Sequence, residues 1–333
     1  MTLTFPEFYR RFRCIADRCT DSCCIGWEID IDTDTYEKYR LMPKDFQKNI
    51  SVSDGVPHFV LTRDERCPFL EENGLCKIIL SHGEDMLCDI CREHPRFYEW
   101  YGNFRDAGVG LCCEEAVRLL FEGDGVLEYE SVETEEAADD DTPEEVCEEM
   151  FSLRQRLFSV INRRDLSFTE RVEKCFGETG VKDVGAQSGT DSFYGECVVI
   201  MKEMSPFDEL WDGYTEALEA LTFDEIKKRF SKNLSKEQIR YEKSFSYFVF
   251  RHFIKACFDE DVSAHFKFAV MMTVFEILFD CVNGDLPLNT RYLSKQVEYS
   301  EENIDILTDE CCFNALISEN NILAFLNELF NGG

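Results

Sequence analysis

Cys14-Ile15-Ala16-Asp17-Arg18-Cys19-Thr20-Asp21-Ser22-Cys23-Cys24 is the stretch on which the reading of this chain turns. Four cysteines fall within it, separated by four residues, then three, then none. Gaps of that size let a loop or a helical turn aim several sulfurs at one point, as a thiolate metal site requires. Three more groups lie outward from it. Cys67-Pro68-Phe69-Leu70 is followed by Gly74-Leu75-Cys76, and the Asn73-Gly74 pair predicts a turn that folds Cys76 back toward Cys67. Cys88-Asp89-Ile90-Cys91-Arg92-Glu93-His94-Pro95-Arg96 is a Cys-x2-Cys with a nearby histidine, and Leu111-Cys112-Cys113-Glu114 closes the series. His94 is a candidate ligand, or a cap of the turn before Pro95.

Ten of the 17 cysteines lie between Cys14 and Cys113. One site takes four protein ligands, so ten imply either two sites or several cysteines in supporting roles. The spacing is not the Cys-x3-Cys-x2-Cys of radical enzymes, since position 26 is Gly, nor the paired Cys-x2-Cys halves of a zinc ribbon. Thiolate-only ligation suits iron and zinc alike, so the residues alone leave both open. The remaining seven cysteines are scattered, and Cys257 and Cys281 sit in apolar helical context as ordinary core residues do.

The rest of the chain sets the frame. It has 333 residues, 44% hydrophobic with 29 Phe, enough for two domains. Its 35 Lys+Arg against 67 Asp+Glu give a formal charge of −32, which repels phosphate backbones and argues against nucleic acid. The same field attracts a basic protein surface or a lysine substrate. The most apolar run, Phe266 to Val282, is interrupted by Lys267, Glu276 and Asp280, and Met1 to Arg13 lacks a signal-peptide core. These features predict a cytoplasmic protein without a membrane partner, whose thiols stay reduced rather than forming disulfides.

The expected fold is mainly α: a small irregular cysteine-rich metal-binding domain packed with a C-terminal helical bundle domain. The cysteine domain is drawn over residues 1–121, an acidic linker over 122–143 and the helical domain over 144–333. Residues 122–150 hold 14 acidic residues and no Lys or Arg. A helix is expected to begin at Thr142-Pro143-Glu144-Glu145, and Val146, Met150, Leu153, Leu157, Val160 and Ile161 recur at helical spacing. Glu237 to Phe258 and Ala264 to Cys281 read as buried helices, with loops at Gly185 to Gly189 and Asn283-Gly284-Asp285.

With these groups in view, the chain resembles the flagellin lysine-N-methylase family, itself similar at its N-terminus to small cysteine-rich proteins held to chelate zinc or iron. The resemblance runs through Phe12-x-Cys14 to Cys23-Cys24-x2-Trp27-x-Ile29-x-Ile31-Asp32, then Cys67-Pro68-Phe69-Leu70 and Gly74-Leu75-Cys76. It continues in Cys91-Arg92-x2-Pro95-Arg96 and Cys112-x-Glu114-x2-Arg118-Leu119, and more loosely in Tyr241-Glu242 through Tyr247-Phe248-x-Phe250-Arg251-His252-Phe253. It implies transfer of methyl groups from S-adenosylmethionine to lysine ε-amines of flagellin, or another lysine-bearing protein, by an enzyme holding an iron–sulfur cluster of the 4Fe–4S type, with zinc as the alternative. Cys14, Cys19, Cys23, Cys24, Cys67, Cys76, Cys91 and Cys112 carry over as candidate ligands. Cys88 joins them by its placement, whereas Cys113 stands where relatives are expected to have Pro. The competing expectation is a non-enzymatic iron–sulfur or zinc module with a helical interaction domain.

The residues themselves name no methyl-transfer site. A nucleotide fold wants a strand, a Gly-rich turn and a helix. Gly108-Val109-Gly110 runs straight into Cys112, and Gly180 to Gly189 has no strand before it. A lysine amine must be neutral to attack a methyl group. Asp89, Glu93, Tyr98 and Tyr101 are candidates to orient it, and Arg92 and Arg96 candidates to pair a cofactor carboxylate; no catalytic residue is assigned.

Overall fold

The computed structural model describes residues 1–26, 28–135, 143–180 and 188–331. Trp27, Thr142 and most of the Gly180 to Gly189 stretch therefore lie outside the described residues. The chain is mainly helical, with fifteen α-helices among the described residues, but it also holds a sheet that the sequence reading does not contain.

That sheet has the order β4-β5-β1-β6. Strand β1 (Thr2–Pro6) runs parallel to β5 (Phe104–Val109), with Thr2 opposite Phe104, and antiparallel to β6 (Tyr129–Glu133), with Thr2 opposite Glu133. β4 (Arg96–Tyr101) completes a hairpin with β5. Part of the expected acidic linker is thus an edge strand. Its Tyr129 and Val132 are half-buried while Glu130, Ser131 and Glu133 face solvent, and charges on an edge protect it from pairing with other chains. Separately, β2 (Ile50–Ser53) and β3 (Val56–Phe59) form a hairpin through Asp54-Gly55, both at positive φ (52° and 88°), the backbone that a tight two-residue turn demands.

The apolar side chains sort into a small core, a large one and a minor cluster around Tyr101, Phe151 and Cys257. The small core gathers Ile29, Ile31, Tyr39, Phe46, Phe59, Phe69, Ile78 and Leu87 around five cysteines. The large core runs through the helices, yet it also includes Phe8, Phe12, Val109, Leu111 and the Glu114–Leu120 helix. The small core thus draws its residues from 24–91. Phe8 and Phe12 share the helices' core, whereas Tyr101 packs in the minor cluster.

Two helices form the axis of the large core. Phe223–His252 starts at a capping box in which the Thr222 hydroxyl and Glu225 satisfy each other's backbone amides. It begins well before Glu237, because Phe223, Ile226 and Phe230 already point inward while their charged neighbours are solvated. Val262–Asn283 is long and apolar enough to cross a membrane by length and composition, but every residue from Ala264 to Cys281 is buried inside the protein. It ends where Gly284 takes a left-handed φ of 72°. The Glu144–Ile161 helix is fixed to the sheet by Arg154, fully buried, whose guanidinium forks onto Asp106 of β5 and donates to the Phe250 carbonyl at 2.9 Å.

Candidate metal centre

All seventeen cysteines are free thiols. The ten N-terminal ones divide between two places. Cys67 and Cys88 are buried in the small core, with Cys24, Cys76 and Cys91 packed against it. Local hydrogen bonds make that arrangement. The Cys67 amide donates to the Cys24 carbonyl at 2.9 Å, which joins the first cysteine group to the second. The turn expected at Asn73-Gly74 is present: the Leu75 amide donates to Asn73 Oδ1 at 3.0 Å, Gly74 has φ 80°, and Leu70 bridges Cys76. Cys76 and Cys88 each directly precede a short helix, Lys77–His82 and Asp89–Glu93.

Burial and neighbouring thiols set the electrostatics of these sulfurs. Burial pushes the Cys67 thiol up to about 12, and neighbouring Cys24, Cys76 and Cys88 push it the same way. Burial also raises Cys76. The Cys91 thiol donates to Cys88, lowering Cys88 and raising itself. Opposing the burial, backbone amides aim at the sulfurs: Phe69 at Cys67, Ile78 and Ile79 at Cys76, Cys91 at Cys88. Such donors stabilise a thiolate, the form in which cysteine binds metal.

The other five cysteines lie where the small core meets the large one. Cys14 and Cys23 are exposed, Cys19 and Cys113 half-buried and Cys112 buried. Thr20 docks this segment by donating to Glu114 from its amide (2.8 Å) and hydroxyl (2.6 Å), and Cys19 Sγ lies 3.6 Å from the same carboxylate. Asp21 accepts from Arg291 at 3.0 Å and from Lys295. Cys112 Sγ lies 3.0 Å from the Tyr299 hydroxyl. Burial drives Cys112 up to about 12 and the Tyr299 hydroxyl pulls it back; burial holds Cys113 at about 11. The Cys23 thiol donates to Cys24 and, with Ser22 and Arg66, brings Cys24 down to about 7.

Gly110 serves this contact. A methyl there would lie 2.8 Å from the Tyr299 hydroxyl and 3.4 Å from Cys112 Sγ. Gly108 sits opposite Phe97 in the β4-β5 ladder, where a methyl would meet its ring at 2.3 Å. The Gly-Val-Gly of the sequence is therefore spent on close packing, not on a nucleotide turn.

The residues proposed to handle an amine or a carboxylate have structural partners. Tyr98 donates to Glu93 at 2.9 Å and accepts from Tyr9 at 3.0 Å, and Tyr101 is buried and donates to Glu99. Asp89 pairs with Arg92 at 2.7 Å, and Arg96 stacks on Phe12 at 5.0 Å. His94 packs edge-on against Tyr299, and burial lowers its pKa to about 4. Sequence reasoning missed Arg291, Lys295 and Tyr299. The signal was available: Arg291, Lys295 and Glu298 line one stripe of the Leu286–Glu298 helix, polar where burial is expected.

The donor set fits a thiolate-held group in kind: reduced cysteines, gathered in sets, with amides turned toward sulfur. Among the described residues, no three or more His, Cys, Asp or Glu side chains already close on one point as a formed metal site.

The chain is similar to the lysine-N-methylase of Salmonella typhimurium, 30% identical over 141 residues that cover 38% of this chain and 34% of that protein. The lysine-N-methylase of Salmonella choleraesuis matches to the same extent. The flagellar biosynthetic protein FliU of Salmonella muenchen is 29% identical over 140 residues, covering 38% of this chain and 81% of FliU. The chain thus spans about a third of the length of the two methylases, and these relatives support the resemblance carried by the cysteine motifs. No family model and no solved structure matches it.

Proposed function

We propose that this chain is a protein-lysine N-methylase that acts on flagellin, takes its methyl group from S-adenosylmethionine and carries a cysteine-held iron–sulfur cluster. The observation that carries the reading is the similarity to proteins named lysine-N-methylase and to a flagellar protein. The gathered thiols support its metal part. Cys14, Cys19, Cys23, Cys24, Cys67, Cys76, Cys88, Cys91 and Cys112 are the candidates from which its ligands would be drawn. When bound, it supplies one-electron chemistry and a positive centre that keeps the sulfurs ionised.

The chain's own residues have three tasks in this reading. The net charge of −32 draws in a lysine-bearing surface. The Arg291 and Lys295 pairs with Asp21 hold the first cysteine segment onto the helices. The amides facing Cys67, Cys76 and Cys88 stabilise the thiolates. The reading includes a cytoplasmic location, where cysteines such as these seventeen would stay reduced.

A second reading is favoured by one observation. The Cys67–Cys76 turn, closed by the Leu70–Cys76 bridge, is also how a chain wraps a structural zinc ion. Protein purified without oxygen separates the two: brown protein with iron and sulfide supports the cluster, and colourless protein with stoichiometric zinc supports the scaffold. Cluster-loaded protein is then incubated with S-adenosylmethionine and flagellin, and mass spectrometry reads lysine methylation. Loaded protein that neither binds the cofactor nor modifies flagellin would sink the methylase reading.

A further inference from the structure

We infer that residues 13–23 form a strap over the junction of the small and large cores, closed by a latch of charged side chains and poised to open. The strap stands on its own contacts and needs nothing from the proposed activity.

Burial sets this segment apart. Phe12 before it and Ile29 after it are buried in the large and small cores respectively. Between them no described residue is buried. Ile15 is the one large aliphatic residue of the strap, and it is half-buried. Apolar packing, which fixes the chain on both sides, therefore does not fix this stretch.

The strap's backbone bonds close on itself: the Arg18 amide donates to the Ile15 carbonyl at 3.1 Å and that of Cys19 to Ala16 at 3.0 Å. Among the described residues, the hydrogen bonds and ion pairs that leave residues 13–22 for distant parts of the chain end on Glu114, Arg291 and Lys295. Thr20 gives Glu114 its amide and hydroxyl, and Cys19 Sγ lies 3.6 Å from the same carboxylate. Asp21 takes Arg291 at 3.0 Å and Lys295, and Arg291 reaches back to Glu114 at 3.5 Å. Arg291 and Lys295 stand one turn apart on the Leu286–Glu298 helix, and Glu114 opens the Glu114–Leu120 helix. Four charges on three segments thus make one latch.

Three features leave the latch ready to release. The Asp21 side chain is 36% exposed and that of Glu114 28%, so dissolved ions reach both acids and screen them. Arg291, the most buried of the four, leaves its Nε without an acceptor among the described residues. Ala16 holds a φ of 49°, a left-handed backbone that a side chain disfavours and that persists only where the surroundings impose it. The surroundings here are the latch. Opening would free Arg291 and Lys295 and lift Cys19 from Glu114, beside the place where Cys112 meets Tyr299.

Trypsin reads the strap directly, because Arg13 and Arg18 are exposed and cleavage requires the local backbone to come free. Full-length protein purified without oxygen is digested briefly, and intact-mass spectrometry follows the cut after Arg18. Asp21→Asn/Glu114→Gln should speed that cut about tenfold at low salt, with the urea midpoint unchanged. Arg291→Gln/Lys295→Gln should reach the same rate, and it serves if the first variant folds poorly. Wild-type cleavage should also accelerate between about 50 mM and 1 M salt, relative to a small arginine ester cut by the same trypsin, while the variants stay flat. Cleavage as slow in both variants as in wild type would overturn the strap, including the case in which bound metal holds it shut. So would a salt-independent wild-type rate, or faster cleavage matched by a fall in the urea midpoint, which would mean unfolding of the whole chain. None of these readouts involves methyl transfer, so the flagellin assay judges the proposed function separately.

Discussion

Replacing Arg154 by Ala should be among the most damaging single changes in the protein. The Arg154 side chain is fully buried and that of Asp106 is 3% exposed. The guanidinium makes two bonds to the carboxylate and one to the Phe250 carbonyl, and it lies 4.6 Å from the Phe151 ring centre and 5.0 Å from that of Phe250. Removing it strands a nearly fully buried carboxylate that has no second ion-pair partner among the described residues. Breaking a buried pair from one side costs about 3–5 kcal/mol, whereas replacing both partners by apolar groups is often close to neutral. Urea unfolding followed by far-UV CD should therefore show Arg154→Ala down by about 3–5 kcal/mol and Arg154→Met/Asp106→Leu recovering much of that loss. The penalty has a pH sign. Burial raises the Asp106 pKa, so without its partner the acid is best tolerated protonated. Stability of Arg154→Ala relative to wild type should improve as pH falls toward the unfolded carboxyl value and worsen as it rises. A loss under about 1 kcal/mol, or a double variant as unstable as the single one, would refute the argument.

Other outcomes follow from the same geometry. Burial pushes Glu276 up to about 8 while Ser244 and Thr290 donate to its Oε1, so its contribution is full below about pH 4.5 and is lost as pH rises through 8; Glu276→Gln should flatten the decline in melting temperature between pH 6 and 9, and parallel declines would count against it. Cys67→Ser should lose metal and solubility together, whereas Cys281→Ser, in the helical core, should keep full metal content by elemental analysis. Gly108→Ala should cost about 1–3 kcal/mol in urea unfolding, since its methyl meets the Phe97 ring at 2.3 Å and that ring is held beneath Arg251 at 4.1 Å; an unchanged midpoint would show that the ring can move.

The helices and the cysteine groups were legible because their signals are local. Leu153, Leu157 and Ile161 repeat at helical spacing and are buried in one helix, and Asn73-Gly74 makes its turn within four residues. The sheet was not legible because β1 finds its partners about a hundred residues away, and β6 (Tyr-Glu-Ser-Val-Glu) reads as solvated acid until its neighbour is known. The packing of Phe8 and Phe12 was hidden for the same reason: they look like company for Cys14, but they belong with Tyr247 and the helices. At the candidate metal centre, spacing named the sulfurs. Only the fold shows that Tyr299, 187 residues from Cys112, reaches the same place.

The position of β1 also sets an order of events during synthesis. Both strands that flank it, Phe104–Val109 and Tyr129–Glu133, are synthesised about a hundred or more residues after it. The small core draws all its residues from 24–91, so that segment can assemble its own apolar centre while β1 still waits. Closing the sheet then draws together two ends of a stretch whose middle has already set, and the slow step of maturation should be the capture of β1 rather than the folding of the helices.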